Sequence, residues 1–307
     1  MVYAELGLLL VGLVALVVGA ERAVAAAADI ARFYGVSAFF VGVTVISVGT
    51  SVPEMTTSVY AAFYGAGDIV VGNIVGSETA QITLAVGIVA LISPIVAERR
   101  NVLVYGGAMT LAMVVMLLTL DDGRIQRSEG FLMMLAYVNF VYILYTNEGG
   151  EEITEEVVDE ELERPGRSLP WVVAGLALVV VGGQLLVTNG VALARVAGVS
   201  EYTIGLLTGL GTTAPEIVVA GIAAHRGEGG ISVGSLLGSN ITDPVFSLGV
   251  GALVADVVVT DLAALSGTTT YMLAVSLVVI GLLYWRQGIS RRMALVCLAL
   301  YVPSVVL

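Results

Sequence analysis

The chain has 307 residues, 58% of them hydrophobic and only 12% charged, with a formal net charge of −12. Its mean hydropathy of +0.98 excludes an ordinary soluble enzyme and indicates an all-α polytopic membrane protein. The acidic balance has the wrong sign for a nucleic-acid partner.

A hydrocarbon layer about 30 Å thick takes roughly 20 apolar residues per helix. Ten candidate transmembrane helices follow in order: 3–31, 37–65, 69–93, 101–120, 128–146, 170–195, 200–224, 230–255, 263–285 and 291–306. The first has no basic region before it, carries Glu5, and lacks a small-residue cleavage site, so it reads as an uncleaved span rather than a signal peptide. The first and sixth spans carry Gly7, Gly12 and Gly19, and Gly175, Gly182 and Gly183. Small residues allow close helix approach; sliding of the pair and plain tight packing both fit them.

The single long polar connection is 147–169, with nine acidic residues from Glu148 to Glu163 followed by Arg164-Pro165-Gly166-Arg167. It is either a regulatory or calcium-collecting segment or a solvated tether. It divides the chain into a first five-helix repeat (1–146), the acidic linker (147–169) and a second five-helix repeat (170–307). Because five is odd, the second half enters the membrane from the opposite side. That is the inverted-repeat plan of secondary transporters.

Arginine placement orients the chain. With the N-terminus outside, Arg32, Arg99, Arg100, Arg164, Arg167, Arg226, Arg286, Arg291 and Arg292 fall in or beside cytoplasmic connections. Arg124, Arg127 and Arg195 fall outside, and Arg22 is ambiguous. The positive-inside rule then makes the linker cytoplasmic and both termini extracellular, in the cell membrane. Asp68, Asp121, Asp122, Asp256 and Asp261 collect on the outer side. All thirteen basic residues are Arg; a salt-loving prokaryote and GC-rich codon usage both account for that. One Cys (Cys297) and one His (His225) allow neither an internal disulfide nor a His/Cys zinc cage.

Within the spans one pattern occurs twice. Gly49-Thr50-Ser51-Val52-Pro53-Glu54 is followed by Gly72-Asn73-Ile74-Val75-Gly76-Ser77. Gly211-Thr212-Thr213-Ala214-Pro215-Glu216 is followed by Gly234-Ser235-Leu236-Leu237-Gly238-Ser239. A carboxylate in hydrocarbon is costly and marks a functional site by default. Pro53 and Pro215 cannot donate a backbone hydrogen bond, so helices 2 and 7 are expected to break, freeing carbonyls of Gly49 and Gly211. Thr50, Ser51, Thr212 and Thr213 add hydroxyl oxygens at the same level. Ser77 and Gln81, four apart, share a helical face, as do Ser239 and Asp243. Pro244 weakens the helix after Asp243. The result is an all-oxygen cage, which suits hard cations such as Ca²⁺ and Na⁺ rather than soft metals.

The paired motifs resemble the two alpha-repeats of the sodium/calcium exchanger family, a branch of the cation/Ca²⁺ exchanger superfamily. The resemblance extends over the whole chain in span count and acidic linker, and is most specific at 42–87 and 205–249. It implies a prokaryotic exchanger with ten helices, a functional monomer in the lipid bilayer. Ca²⁺ and Na⁺ would share one central site as transported substrates, with no cofactor. By position it implies that Glu54 and Glu216 are the core carboxylates, assisted by Thr50 and Thr212. Ser51, Ser77, Thr213 and Ser239 would line flanking Na⁺ sites, with Asp243 at the polar position of the eighth helix. The chain departs from the family in three places. Gln81 stands where Asn is usual, Glu78 is an extra acid beside Ser77, and the seventh helix is one residue short between Gly205 and Gly211.

Three classes remain in view. A Na⁺/Ca²⁺ antiporter, with a Ca²⁺/H⁺ or other monovalent-cation antiporter as its alternative, fits the paired carboxylates, and no Gly-rich, Lys-containing nucleotide loop is present to drive a pump. A cation channel would show passive flux without a counter-ion. An intramembrane hydrolase would need its acids within reach of an activated water; the chain reads as a transporter rather than an enzyme.

Overall fold

The computed structural model describes residues 2–148, 165–198, 211–260 and 262–305. Most of the acidic linker, the first half of the seventh span with Gly205, and Asp261 lie outside the described residues.

Six described helices are long and apolar enough to cross a membrane: Val2–Tyr34, Gly67–Ile92, Arg99–Thr119, Arg127–Thr146, Ser168–Val196 and Leu265–Arg286. Ala38–Thr50 and Val52–Phe63 together make a further crossing, bent by 44°. Where the other three spans were expected stand Ala214–His225, Gly229–Thr242 continued by Leu248–Val254, and Arg291–Tyr301 with a 3-10 turn, Val302–Val305. Val11, Val14, Leu111, Leu118, Leu132, Val138 and Leu295 are exposed around the outside. Such a surface is at home in lipid rather than water.

The sixth helix begins at Pro165, earlier than the expected 170. Proline is favoured in the first turn of a helix, where its missing N–H has no partner to lose. Pro165 therefore starts the helix and Pro170 lies inside it.

From the Glu54 helix to the first short strand, the described elements of the first half recur 162 residues later. Val52–Phe63 recurs as Ala214–His225, Gly67–Ala80 as Gly229–Thr242, Val86–Ile92 as Leu248–Val254, and strand β1 (Ile95–Val96) as β3 (Val257–Val258). The residue before each glutamate-bearing helix has nearly the same backbone, φ −75° and ψ 1° at Ser51 against φ −83° and ψ −5° at Thr213.

Two short antiparallel pairings join the halves. β1 pairs with β4 (Gly288–Ile289), and β2 (Arg124–Ile125) pairs with β3. Near the second pair Arg124 donates to the Asp256 carboxylate, and the backbone N–H of Arg127 donates to it at 3.2 Å. Asp68 accepts from the Thr260 N–H at 2.8 Å and from its hydroxyl at 2.6 Å. Two of the acids expected on the outer side, Asp68 and Asp256, thus fasten loops. The Arg124 hydrogen bond holds the Asp256 carboxyl below the usual aspartate range. A depressed folded pKa stabilises above the unfolded value and is lost as pH falls through the folded one. Asp256→Asn is therefore expected to lower the melting temperature slightly at neutral pH. The difference from the parent protein should close in acid, as melting curves across pH would measure; a gap independent of pH would refute this.

The first and sixth helices pack antiparallel, Gly12 against Gly182 and Gly19 against Gly175. A Cβ on Gly19 would sit 2.6 Å from the Gly175 carbonyl oxygen, and one on Gly175 would sit 2.7 Å from that of Gly19. Gly183 faces the Pro215 ring, whereas Gly7 has nothing near it and is no packing residue. Gly175→Ala should cost about 1–3 kcal/mol, the usual range for overpacking. A thermal melt of the detergent-solubilised variant would show it, with Gly7→Ala as a silent control.

Candidate functional site

The site is built at helix breaks. Thr50 ends one helix and Val52 starts the next, so Pro53 sits in a first turn rather than inside a kinked helix. The break therefore falls two residues before the position expected from proline chemistry. Pro215 occupies the same place in the Glu216 helix. Each glutamate lies in the first turn of its half-helix, where the positive end of the helix dipole favours negative charge.

The helices carrying Ser77 and Ser239 loosen just after those residues. Gln81–Ala85 and Asp243–Ser247 form π-turns. The N–H of Val86 reaches the carbonyl of Gln81, and that of Leu248 reaches Asp243, five residues back. A third π-turn covers Gly42–Ile46 ahead of the first break. Such turns widen the helix locally and are common at functional sites. In the second half Pro244 supplies a cause, because it removes the donor that would have continued the α pattern. Gln81 has no such neighbour.

Around these breaks the expected residues are nearly all buried. Glu54 and Glu216 are 1% exposed, and Thr50, Ser51, Gln81, Thr213, Ser239 and Asp243 are 0% exposed. Ser77 is buried too, and Thr212 half-buried. The Ser239 helix runs through the centre of the molecule, with every residue from Ile231 to Thr242 buried.

Two contacts join predicted residues across the halves. The hydroxyls of Thr50 and Ser239 are 3.4 Å apart, and Gln81 Nε2 donates to Asp243 Oδ2 at 3.1 Å. Glu54, Glu216 and Asp243 lie within electrostatic reach of one another. No hydrogen bond of good geometry reaches either carboxylate oxygen of Glu54 or of Glu216, although the Thr50 hydroxyl lies close to Glu216 and the Ser51 hydroxyl close to Asp243. Buried polar atoms are nearly always paired, so four carboxylate oxygens without a well-formed hydrogen bond need something to complete them. Ser77 is tied more locally, donating to the Ile74 carbonyl at 3.0 Å. Among the described residues no three His, Cys, Asp or Glu side chains converge to hold an ion together. An ion shared by the two glutamates would thus draw most of its other oxygens from neutral groups.

Several neighbours escaped the sequence reading. Asn240 Nδ2 donates to Gln81 Oε1 at 3.0 Å, and Ser247 Oγ to Asp243 Oδ1 at 2.9 Å. The Thr242 hydroxyl contacts Ser47 and Tyr137, each at 3.3 Å. Ser247 was legible in principle, four residues after Asp243; Tyr137 was not, since nothing marks it within an apolar helix. Glu78 is fully buried, and neither of its carboxylate oxygens has a hydrogen-bond partner.

Comparison with known proteins identifies the family. The sodium/calcium exchanger protein family matches residues 4–146 and 167–307. The chain belongs to the sodium/calcium exchanger family. Among its relatives, the inner membrane protein YrbG of Escherichia coli is 34% identical over 290 residues, 92% of this chain and 89% of YrbG. The sodium/calcium exchanger MaX1 of Methanosarcina acetivorans is 29% identical over 340 residues, 97% of each chain. A solved structure of the sodium–calcium exchanger NCX_Mj matches with a TM-score of 0.83 and 30% identity, covering 100% of this chain and 99% of that one. The protein is therefore a multi-pass membrane antiporter with the NCX_Mj fold, in a family that transports Na⁺ and Ca²⁺.

Proposed function

We propose that this family member exchanges Na⁺ for Ca²⁺ at one mid-membrane site formed by Glu54 and Glu216. The observation that carries the reading is the set of four buried carboxylate oxygens without a well-formed hydrogen bond, at two breaks related by the 162-residue repeat. Either one Ca²⁺ or Na⁺ ions complete those oxygens, and the ion-loaded protein changes which face it opens to. Thr50, Ser51, Ser77, Gln81, Thr212, Thr213, Ser239 and Asp243 supply the remaining oxygens. A hard cation needs about six to eight of them. MaX1 and NCX_Mj are named as sodium/calcium exchangers, which supports the choice of ions.

The architecture we propose has ten spans as two inverted five-helix repeats, broken in the second and seventh. The antiparallel first and sixth helices and the crossed pairings β1–β4 and β2–β3 support it. The arginine distribution supports a cytoplasmic linker and extracellular termini, and the chain works as a monomer.

The test is radiolabelled Ca²⁺ uptake into proteoliposomes preloaded in turn with Na⁺, K⁺ or protons. Uptake driven only by outward Na⁺ is expected. Uptake driven by a proton gradient without Na⁺ would make it a Ca²⁺/H⁺ antiporter, and uptake with no counter-ion would make it a channel.

A further inference from the structure

Glu78 is the buried carboxyl that the two-glutamate cage leaves unused. It is fully buried and neither oxygen has a hydrogen-bond partner. An unpaired acid in a protein interior is costly, and inside a membrane protein such a group marks an ion pathway more often than a packing element.

Its counterpart under the 162-residue repeat is Asn240, also fully buried. Asn240 Nδ2 donates to the Leu236 carbonyl at 2.8 Å and to Gln81 Oε1 at 3.0 Å. Those two bonds fix the amide, and they leave Asn240 Oδ1 without a partner. Each half thus presents one oxygen-bearing side chain, directly after its repeated serine, with an oxygen that no protein donor satisfies.

Gln81 bonds Asn240 and lies on the same helix as Glu78. At about 100° per residue it lies roughly 40° from Ser77 and 60° from Glu78, so all three share one face of the helix. Its amide holds Asn240 with its oxygen and Asp243 with its nitrogen. Glu78 also lies within electrostatic reach of Asp243 and Glu54. Yet no three described acids converge on one point. A carboxylate that shares the field of the cage, but not its coordination sphere, suits an ion of its own. One negative charge matches a monovalent cation better than Ca²⁺, which takes six to eight oxygens.

We propose that Glu78 is the carboxylate of a further Na⁺ site on the Asn240 side of the cage. This rests on the cation-cage reading above and extends it: the exchanger then moves one more Na⁺ per Ca²⁺ than the two glutamates and Asp243 alone would carry.

The test is the steepness of Na⁺-driven Ca²⁺ flux in proteoliposomes, together with the charge moved per Ca²⁺. Glu78→Gln keeps shape and removes charge; it should reduce the Na⁺ count by one while the Ca²⁺ concentration for half-maximal flux changes less than twofold. Asn240→Asp placed in that background returns a carboxylate at the equivalent position and should restore the lost Na⁺, which repair of packing alone would not do. Should Glu78→Gln fail to fold, Glu78→Asp keeps the charge and withdraws it by one methylene. It should raise the Na⁺ concentration for half-maximal flux several-fold. An unchanged Na⁺ count in Glu78→Gln, or an unchanged Na⁺ requirement in Glu78→Asp, overturns the proposal while leaving the exchanger reading intact. Absence of Na⁺-driven flux in the parent protein overturns both.

Discussion

Glu54→Gln and Glu216→Gln are each expected to abolish Ca²⁺ transport while leaving the ion-free protein at least as stable as the parent. The two halves of that statement have one cause. Each carboxylate is about 1% exposed and receives no well-formed hydrogen bond from the protein. In the absence of an ion it is therefore a burden on the fold, because a buried charge without partners costs several kcal/mol. Glutamine keeps the volume and removes the charge, so the folded state loses nothing it was using. With the ion present the balance reverses. A unit charge about 4 Å from another gains about 4 kcal/mol at an effective dielectric near 20, and a divalent ion gains twice that. Even a quarter of the divalent figure, about 2 kcal/mol, exceeds the 1.4 kcal/mol that changes affinity tenfold. The loss falls twice as heavily on Ca²⁺ as on Na⁺.

The measurements are radiolabelled Ca²⁺ flux in proteoliposomes and thermal melts with and without Ca²⁺. A ligand at about 100 times its dissociation constant stabilises by about 2.7 kcal/mol, so the parent protein should melt measurably higher with Ca²⁺ and the variants should not. Near-normal Ca²⁺ flux in either variant would sink the shared-site model. A large drop in the ion-free melting temperature would instead mean that the carboxylate has a structural partner.

What the sequence made legible follows from how each signal is written. Helix length and apolarity are local properties, and the expected spans lie close to the described helices. The repeat was legible because both halves keep glycine, proline and serine at one offset. The position of the break was less so. Proline was read as the point of rupture, whereas the chain folds to put Pro53 and Pro215 into first turns, where they do no harm. The Gln81 π-turn had no sequence cue, since no proline or glycine accompanies it. Glu78 stands out in sequence only as an extra acid beside Ser77; its complete burial without a hydrogen-bond partner comes from the fold. Asn240 and Thr242 are ordinary polar residues in sequence; their role comes from contacts across halves more than 100 residues apart.

The second large effect is expected at Gln81. Its side chain is the only described one that bonds both Asn240 and Asp243, accepting from the first at 3.0 Å and donating to the second at 3.1 Å. Gln81→Ala removes both bonds in a fully buried setting. Asp243 keeps the Ser247 hydroxyl at 2.9 Å, and Asn240 keeps the Leu236 carbonyl at 2.8 Å. Each still loses one partner, and leaving a buried polar group short costs about 1–3 kcal/mol. A lower melting temperature is therefore expected, unlike the glutamate variants. Asp243 would also be freed to turn toward Glu54 and Glu216, adding negative charge where Ca²⁺ is held. The Na⁺ concentration needed to release Ca²⁺ should then rise, by tenfold for each 1.4 kcal/mol gained. Gln81→Asn separates the two effects. Its amide is one methylene shorter and reaches one of the two neighbours but not both, so stability should recover more than Na⁺ dependence does. Flux measured against Na⁺ concentration, beside melts of the same preparations, would test this. If Gln81→Ala matched the parent protein in both, the Asn240–Gln81–Asp243 chain would have no part in ion handling.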